Sequence, residues 1–283
     1  MADRPGPTLR RRKLVKELIA ARQAAGMNAS QLAAEIDLKP SAVSKIEKGT
    51  QGLTVRNIKA YARVTGLSKA KTEELLLLAA NDASYDAWLV EFDEAIPDWF
   101  ALYPELEQDA DQIWYYSSEL VPGLAQTSDY AEAIIRTGVP DISEEELQRV
   151  VDLRETRQQL LDRADPPRLH FVLNEAVARR QVGGPDVIGA QLRHLVELSD
   201  REHITIQVLP FSAGAHRGMK TGYILMRFPE GFDDMDCVYL ENNNGGVWQE
   251  VHDHVAEYLA TFEQQRSLAL SPRDTREWLV SLL

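Results

Sequence analysis

In the stretch LKPSAVSKIEKG, Ser41, Ser44, Lys45 and Lys48 are interleaved with the apolar residues Val43 and Ile46. Val43 and Ile46 are three apart, so on a helix they share one face and the hydroxyls and amines project from the other. That outer face is cationic and rich in hydrogen-bond donors. A lysine ammonium can meet a phosphate or the O6 and N7 of guanine, and a serine hydroxyl can contact either base type or phosphate. Such a face suits a polyanion, and it equally suits plain solvent, so the rest of the chain has to decide.

Other chemistries find little support. His252 and His254 in EVHDHV are two apart and do not share a helix face, and neither a cysteine pair nor HExxH accompanies them. Gly183-Gly184 and Gly245-Gly246 lack a lysine-containing phosphate loop and read as turns. No G-x-S-x-G occurs. Nothing brings Glu175 and Asp186 together as a carboxylate pair. Cys237 is the single cysteine, reads as a small buried hydrophobe, and suits a reducing compartment. The expectation is no catalytic residue, no metal and no cofactor, hence no enzyme.

Charge separates two segments. The chain carries a net −13, but residues 1–80 hold 15 basic and 7 acidic residues, a net of +8. The remainder, with 16 basic and 37 acidic residues, carries −21. One part is fit to face a polyanion, and the other must be repelled by it. The longest strongly apolar run, Leu75 to Ala80, is far short of the roughly 20 residues a membrane helix needs. Arg10 to Lys13 lead into no apolar stretch, so no secretory signal is expected.

The elements that position the opening residues follow from periodicity and caps. Met1 to Pro7 reads as a tail. Leu14, Leu18 and Ile19 form a helical stripe ending at Gly26. Asn28 or Ser30 caps a second helix carrying Leu32, Ala33 and Ile36. A turn at Asp37-Leu38-Lys39 leads to a third helix opened by Pro40 and stopped by Gly49. A fourth ends at Gly66, and a fifth begins after Ser68. Beyond Asn81, helices are expected at Glu105–Glu119, Ser128–Thr137, from Ser143 to about Arg163, and at Asp186–Ser199, Gln249–Gln265 and Pro272–Leu282. RLHFVL, ITIQVLPF, GYILMRF and CVYLEN read as four strands.

Leu32, Ile36, Val43 and Ile46 fill a wedge between the second and third helices, Ala33 allows their close approach, and Leu38 plugs the turn. Asp37 stands where the turn often bends through a left-handed conformation usually given to Gly, and Asp tolerates that region. This is the spacing of a helix-turn-helix, whose second helix enters the major groove. Residues 9–80, with NASQLAAEIDLKPSAVSKIEKG at their centre, resemble the Xre/Cro/phage-repressor family. The resemblance implies a five-helix domain that binds operators as a dimer, with Arg22 and Glu47 as a structural clamp. It places base-reading positions on Pro40, Ser41 and Lys45. Two of these depart from that family's common glutamine pattern, and Pro40 has only apolar contact to offer. Ala42, Ser44, Lys48, Asn28, Ser30 and Arg56 complete the expected DNA-facing set.

The remainder resembles the effector half of the actinobacterial WhiJ-like regulators. The resemblance is carried by SSELVPGLAQTSDYAEAIIRTG, RQQLLDRADPPRLHFVLNEAVARRQVGG and ITIQVLPFSAGAHRGM. It implies a regulator paired with a small partner protein in an antitoxin-like arrangement. The cluster Trp99, Phe100, Trp114, Tyr115 and Tyr116 reads as a pocket wall or as core. Trp114, Tyr115, Tyr116, Pro122, Gln126, Asn242 and Asn243 are the effector-site candidates. The polar, Gly-rich ENNNGGVW reads as a binding loop or an ordinary turn.

The expected fold class is α+β: an all-α five-helix domain at 1–80, a connector at 81–104, and an acidic mixed domain at 105–283 with a sheet of about four strands. The expected function is a sequence-specific DNA-binding regulator sensing a partner protein or small molecule. The alternative is an antitoxin-like module that sequesters a partner, with DNA binding secondary. Expected partners are a double-stranded operator, a second copy of the chain, a small protein and a small-molecule effector, with no membrane. The expected location is the cytoplasm, on the nucleoid when bound to DNA.

Overall fold

A computed structural model describes residues 9–49, 53–80, 100, 102–242 and 245–283. The tail Met1 to Pro7, most of the 81–104 connector and Asn243 lie outside the described residues. The chain divides into two compact units, one of helices and one built on a sheet.

The helical unit comprises α1 (Leu9–Ala24), α2 (Ala29–Glu35), α3 (Pro40–Glu47), α4 (Val55–Thr65) and α5 (Lys69–Ala80). Leu14, Leu18, Leu32, Val43, Ile46, Ile58, Tyr61 and Leu75 form its core. Local chemistry sets the helix ends. Asn28 and Gln31 make a reciprocal capping box at the start of α2. Asp37 takes the left-handed conformation at φ 54°, and the Leu38 amide returns to the Ala33 carbonyl at 2.9 Å. Pro40 occupies the first turn of α3, and Gly49, at φ 71°, ends it.

The sheet unit has six strands: β1 (Gln112–Ser117), β2 (Arg168–Asn174), β3 (Ile204–Leu209), β4 (Tyr223–Arg227), β5 (Cys237–Asn242) and β6 (Gly245–Gln249). Their order is β3-β2-β1-β4-β5-β6. The β1–β2 and β2–β3 pairs are parallel and the other three antiparallel, with Trp114 registered against His170 on one side and Leu225 on the other. The helix α6 (Leu102–Asp109) runs into this unit at Glu107. Helices α7 (Ser128–Gly138) and α8 (Glu144–Gln158) link β1 to β2. Helices α9 (Glu175–Arg179) and α10 (Pro185–Leu198) link β2 to β3, and α11 (His252–Leu268) and α12 (Pro272–Val280) follow β6. One face of the sheet buries Tyr116, Val172, Tyr223, Leu225 and Val238 against Val255 and Phe262 of α11.

Two sequence expectations are corrected here. The helix expected over Glu105–Glu119 stops at Asp109, and QIWYYS is the strand β1 inside the sheet. β1 has neighbours on both edges and large buried side chains on both faces, so its aromatic run lacks the alternation of a half-exposed strand. The ENNNGGVW stretch is also largely strand, because β5 continues to Asn242 and β6 returns from Gly245. A side chain on Gly246 would collide with the Tyr239 ring, so a glycine that reads as loop is here a packing requirement within a strand. The sheet therefore has six strands where about four are expected.

Candidate nucleic-acid interface

Helix α3 packs against α1 and α2 through Val43 and Ile46, both 0% exposed. Its opposite side carries Pro40, Ser41, Lys45 and Lys48 in the open, with Ala42 and Ser44 half-buried. Asn28, Ser30 and Arg56 are also exposed, the last in the first turn of α4. The Asn28 carboxamide oxygen is committed to the Gln31 amide at 2.9 Å, so its cap role precedes any contact outside the chain. Lys39, the residue before Pro40, is exposed as well. Sequence reasoning passed over it as a turn residue, although its place beside the first residue of α3 was readable.

Arg22 and Glu47 form a two-pronged pair. The Arg22 Nε donates to Glu47 Oε1 at 2.6 Å and an Arg22 Nη to Oε2 at 3.0 Å, while the other Nη reaches the Met27 carbonyl at 2.8 Å. The hydrogen bond to Glu47 raises the guanidinium above its ordinary value. Burial, and then the charge of Glu47, raises the hydroxyl of the buried Tyr61. The pair ties α1 to the end of α3 and neutralises the acid on α3 itself.

The effector-site candidates do not converge on one surface. Trp114 and Tyr116 share a face of β1: Trp114 stacks on Phe262 with centroids 5.0 Å apart, and Tyr116 lies 5.7 Å from the Tyr223 ring. Tyr115 points the opposite way, stacked on Phe171 at 4.8 Å. Tyr115 and Tyr116 are buried, so both serve as core. Pro122 is buried ahead of the short turn Gly123–Ala125, and Gln126 is buried after it, donating to the Val121 carbonyl at 2.6 Å. Asn242 is exposed at the end of β5. Cys237 is buried, and among the described residues no cluster of His, Cys, Asp or Glu could hold a metal.

A feature that sequence reasoning missed lies beside Gln126. Arg157 of α8 pairs with Glu107 of α6 through two hydrogen bonds of 2.8 Å, the side chains being 7% and 0% exposed. One turn earlier, Arg154 donates to the Gln126 carboxamide oxygen. The sequence signal was two arginines continuing the apolar stripe of Leu147 and Val151, where core residues belong.

Comparison with known families follows these boundaries. Residues 18–71 match the family described as "Helix-turn-helix", and residues 100–281 match the one described as "Domain of unknown function (DUF5753)". The N-terminal unit is thus a DNA-binding helix-turn-helix of the Xre type. No curated protein and no solved structure matches the chain. Among the described residues no helix is long and apolar enough to cross a membrane.

Proposed function

The chain belongs to the DUF5753 family, with an Xre-type helix-turn-helix ahead of that domain, and from this premise we propose a transcriptional regulator that reads an operator through α3. The observation that carries the reading is the division of α3. Val43 and Ile46 are fully buried while Ser41, Lys45 and Lys48 face outward from a segment of net charge +8. Lys45, a turn into the helix, meets a base edge, Ser41 a base or phosphate, and Pro40 and Ala42 give apolar contact. Lys48, Ser44, Asn28, Ser30 and Arg56 hold the phosphates. The protein works as a homodimer, since one short helix covers few base pairs and two-fold partners read paired half-sites.

The second unit takes the regulatory input, a small partner protein or a small molecule, and catalyses nothing. The −21 charge of residues 81–283 supports this division of labour, because that segment is repelled by DNA and attracted to a basic partner. The same charge favours the second reading, an antitoxin-like module whose DNA binding is autoregulatory. A WhiJ-like regulator of actinobacterial type, working in the cytoplasm on the nucleoid, fits the quoted stretches.

Salt titration of binding to the DNA upstream of its own coding region, against scrambled DNA, tests the operator reading. Lys45→Ala is expected to cost about 1–3 kcal/mol and relax preference at one base pair. Lys48→Ala is expected to weaken both DNAs alike and reduce the salt slope by about one. If both variants bind like the parent, α3 is only a solvated face.

A further inference from the structure

Helix α4 carries Arg56, Lys59 and Arg63 and no acidic residue. Spaced three and then four apart, these cations share one side of the helix, opposite the buried Ile58, Tyr61 and Ala62. All three are exposed. Among the described residues no carboxylate stands within ion-pair distance of any of them.

Elsewhere in the helical unit cations are given acids. Lys13 of α1 meets Glu17 at 3.1 Å, and Arg22 holds Glu47. Lys71 of α5 meets Glu17 at 3.2 Å and Glu74 at 2.8 Å, and Lys69 meets Glu73 at 3.9 Å. On α4 the arrangement works against the helix itself. Arg56 and Lys59, then Lys59 and Arg63, are like-charged neighbours on its surface, and Arg56 adds to the positive end of the helix dipole. Packing does not require these residues, because their side chains face water. A row of like charges that weakens its own helix is explained by a polyanion outside it.

The stripe falls within residues 18–71, the span that matches a helix-turn-helix, so duplex DNA is the polyanion in question. From Arg56 to Arg63 the helix rises about 10 Å, a length over which a duplex presents about six phosphate charges. We infer that this face of α4 is a second DNA-contacting surface, in which Lys59 and Arg63 continue from Arg56 along the phosphates beside the groove that α3 enters. The inference rests on the operator reading and deepens it: α3 supplies preference, and α4 supplies affinity that is blind to sequence.

Salt titration of the full chain with the DNA upstream of its coding region and with a scrambled duplex tests it. Lys59→Gln and Arg63→Gln are each expected to lower the salt slope by about 0.9, and the double variant by about twice that. At about 0.1 M salt each single variant is expected to lose about 5–10-fold in affinity, equally on both duplexes. Lys69→Gln, which removes a cation already paired with Glu73, is expected to leave the slope unchanged. The far-UV dichroism midpoint of the double variant should hold or rise, because like-charge repulsion is relieved, so a folding defect does not imitate a lost contact. An unchanged slope in the double variant overturns the inference, as does a slope change in Lys69→Gln as large as that in Lys59→Gln. If the double variant keeps its DNA slope but loses a salt-sensitive self-association in light scattering, the stripe meets an acidic protein surface and the inference falls. Should the parent show no preference for its upstream DNA, the operator reading fails while the slopes still decide the role of α4.

Discussion

Arg22 in the helical unit and Arg157 in the sheet unit each give one carboxylate two hydrogen bonds, to Glu47 and to Glu107. The surroundings differ. Arg22 and Glu47 keep side-chain exposures of 12% and 13%. Arg157 and Glu107 are sealed, and Arg154 brings a further positive charge to the same place. A matched pair acts as a clamp: it fixes α3 on α1 and leaves Lys45 and Lys48 exposed on the other side. A sealed pair holds its charges away from water, at a desolvation cost that the pairing must offset. The same residue types are thus held in different dielectric surroundings in the two units.

The largest break in this comparison comes from Glu107→Gln, which leaves the sealed Arg157 guanidinium without its paired carboxylate. The expected loss is about 3–5 kcal/mol in urea unfolding followed by fluorescence. Trp114, Trp248 and Trp278 lie in the sheet unit, so most of that signal reports on it. A loss below about 1 kcal/mol would mean the sealed pair contributes no more than a surface one. Glu47→Ala is expected to cost the helical unit less, about 2 kcal/mol, because water reaches the freed Arg22. Far-UV circular dichroism should register it while the fluorescence transition stays put.

Acid should separate the units more gently. All six histidines lie beyond residue 80, and burial holds His170, His194, His203 and His216 below the ordinary imidazole value. The unfolded chain binds protons that these folded imidazoles refuse, so their contribution is whole above about pH 6.5 and declines as pH falls through it. Lowering pH from about 7.5 to about 5.5 is expected to reduce the fluorescence midpoint and spare the dichroism transition of the helices. Equal shifts in both would place the acid-sensitive groups elsewhere.

The helical unit was legible because its determinants are local. The wedge of Leu32, Ile36, Val43 and Ile46, the left-handed Asp37 and the stop at Gly49 all fall within 18 residues. The sheet was half legible. Its β-branched strands announced themselves, whereas β1 hid in a run of three aromatics that face two different layers. β6 hid in glycines whose necessity comes from Tyr239, a residue of another strand. The Arg157–Glu107 pair joins positions 50 residues apart, and only the misplaced charges on the apolar stripe of α8 hinted at it.

The place of β1 in the strand order also sets a timetable. Trp114 must wait for His170 to be synthesised before its parallel neighbour exists, and for Leu225 before its antiparallel one. Pairings so distant in sequence are slow to form, while a bundle of short helices with near neighbours is fast. At ordinary translation speeds the last strand leaves the ribosome on the order of ten seconds after α5. The newborn chain carries a finished helical head through that interval, while its aromatic strand lacks a parallel neighbour until β2 emerges and an antiparallel one until β4 does.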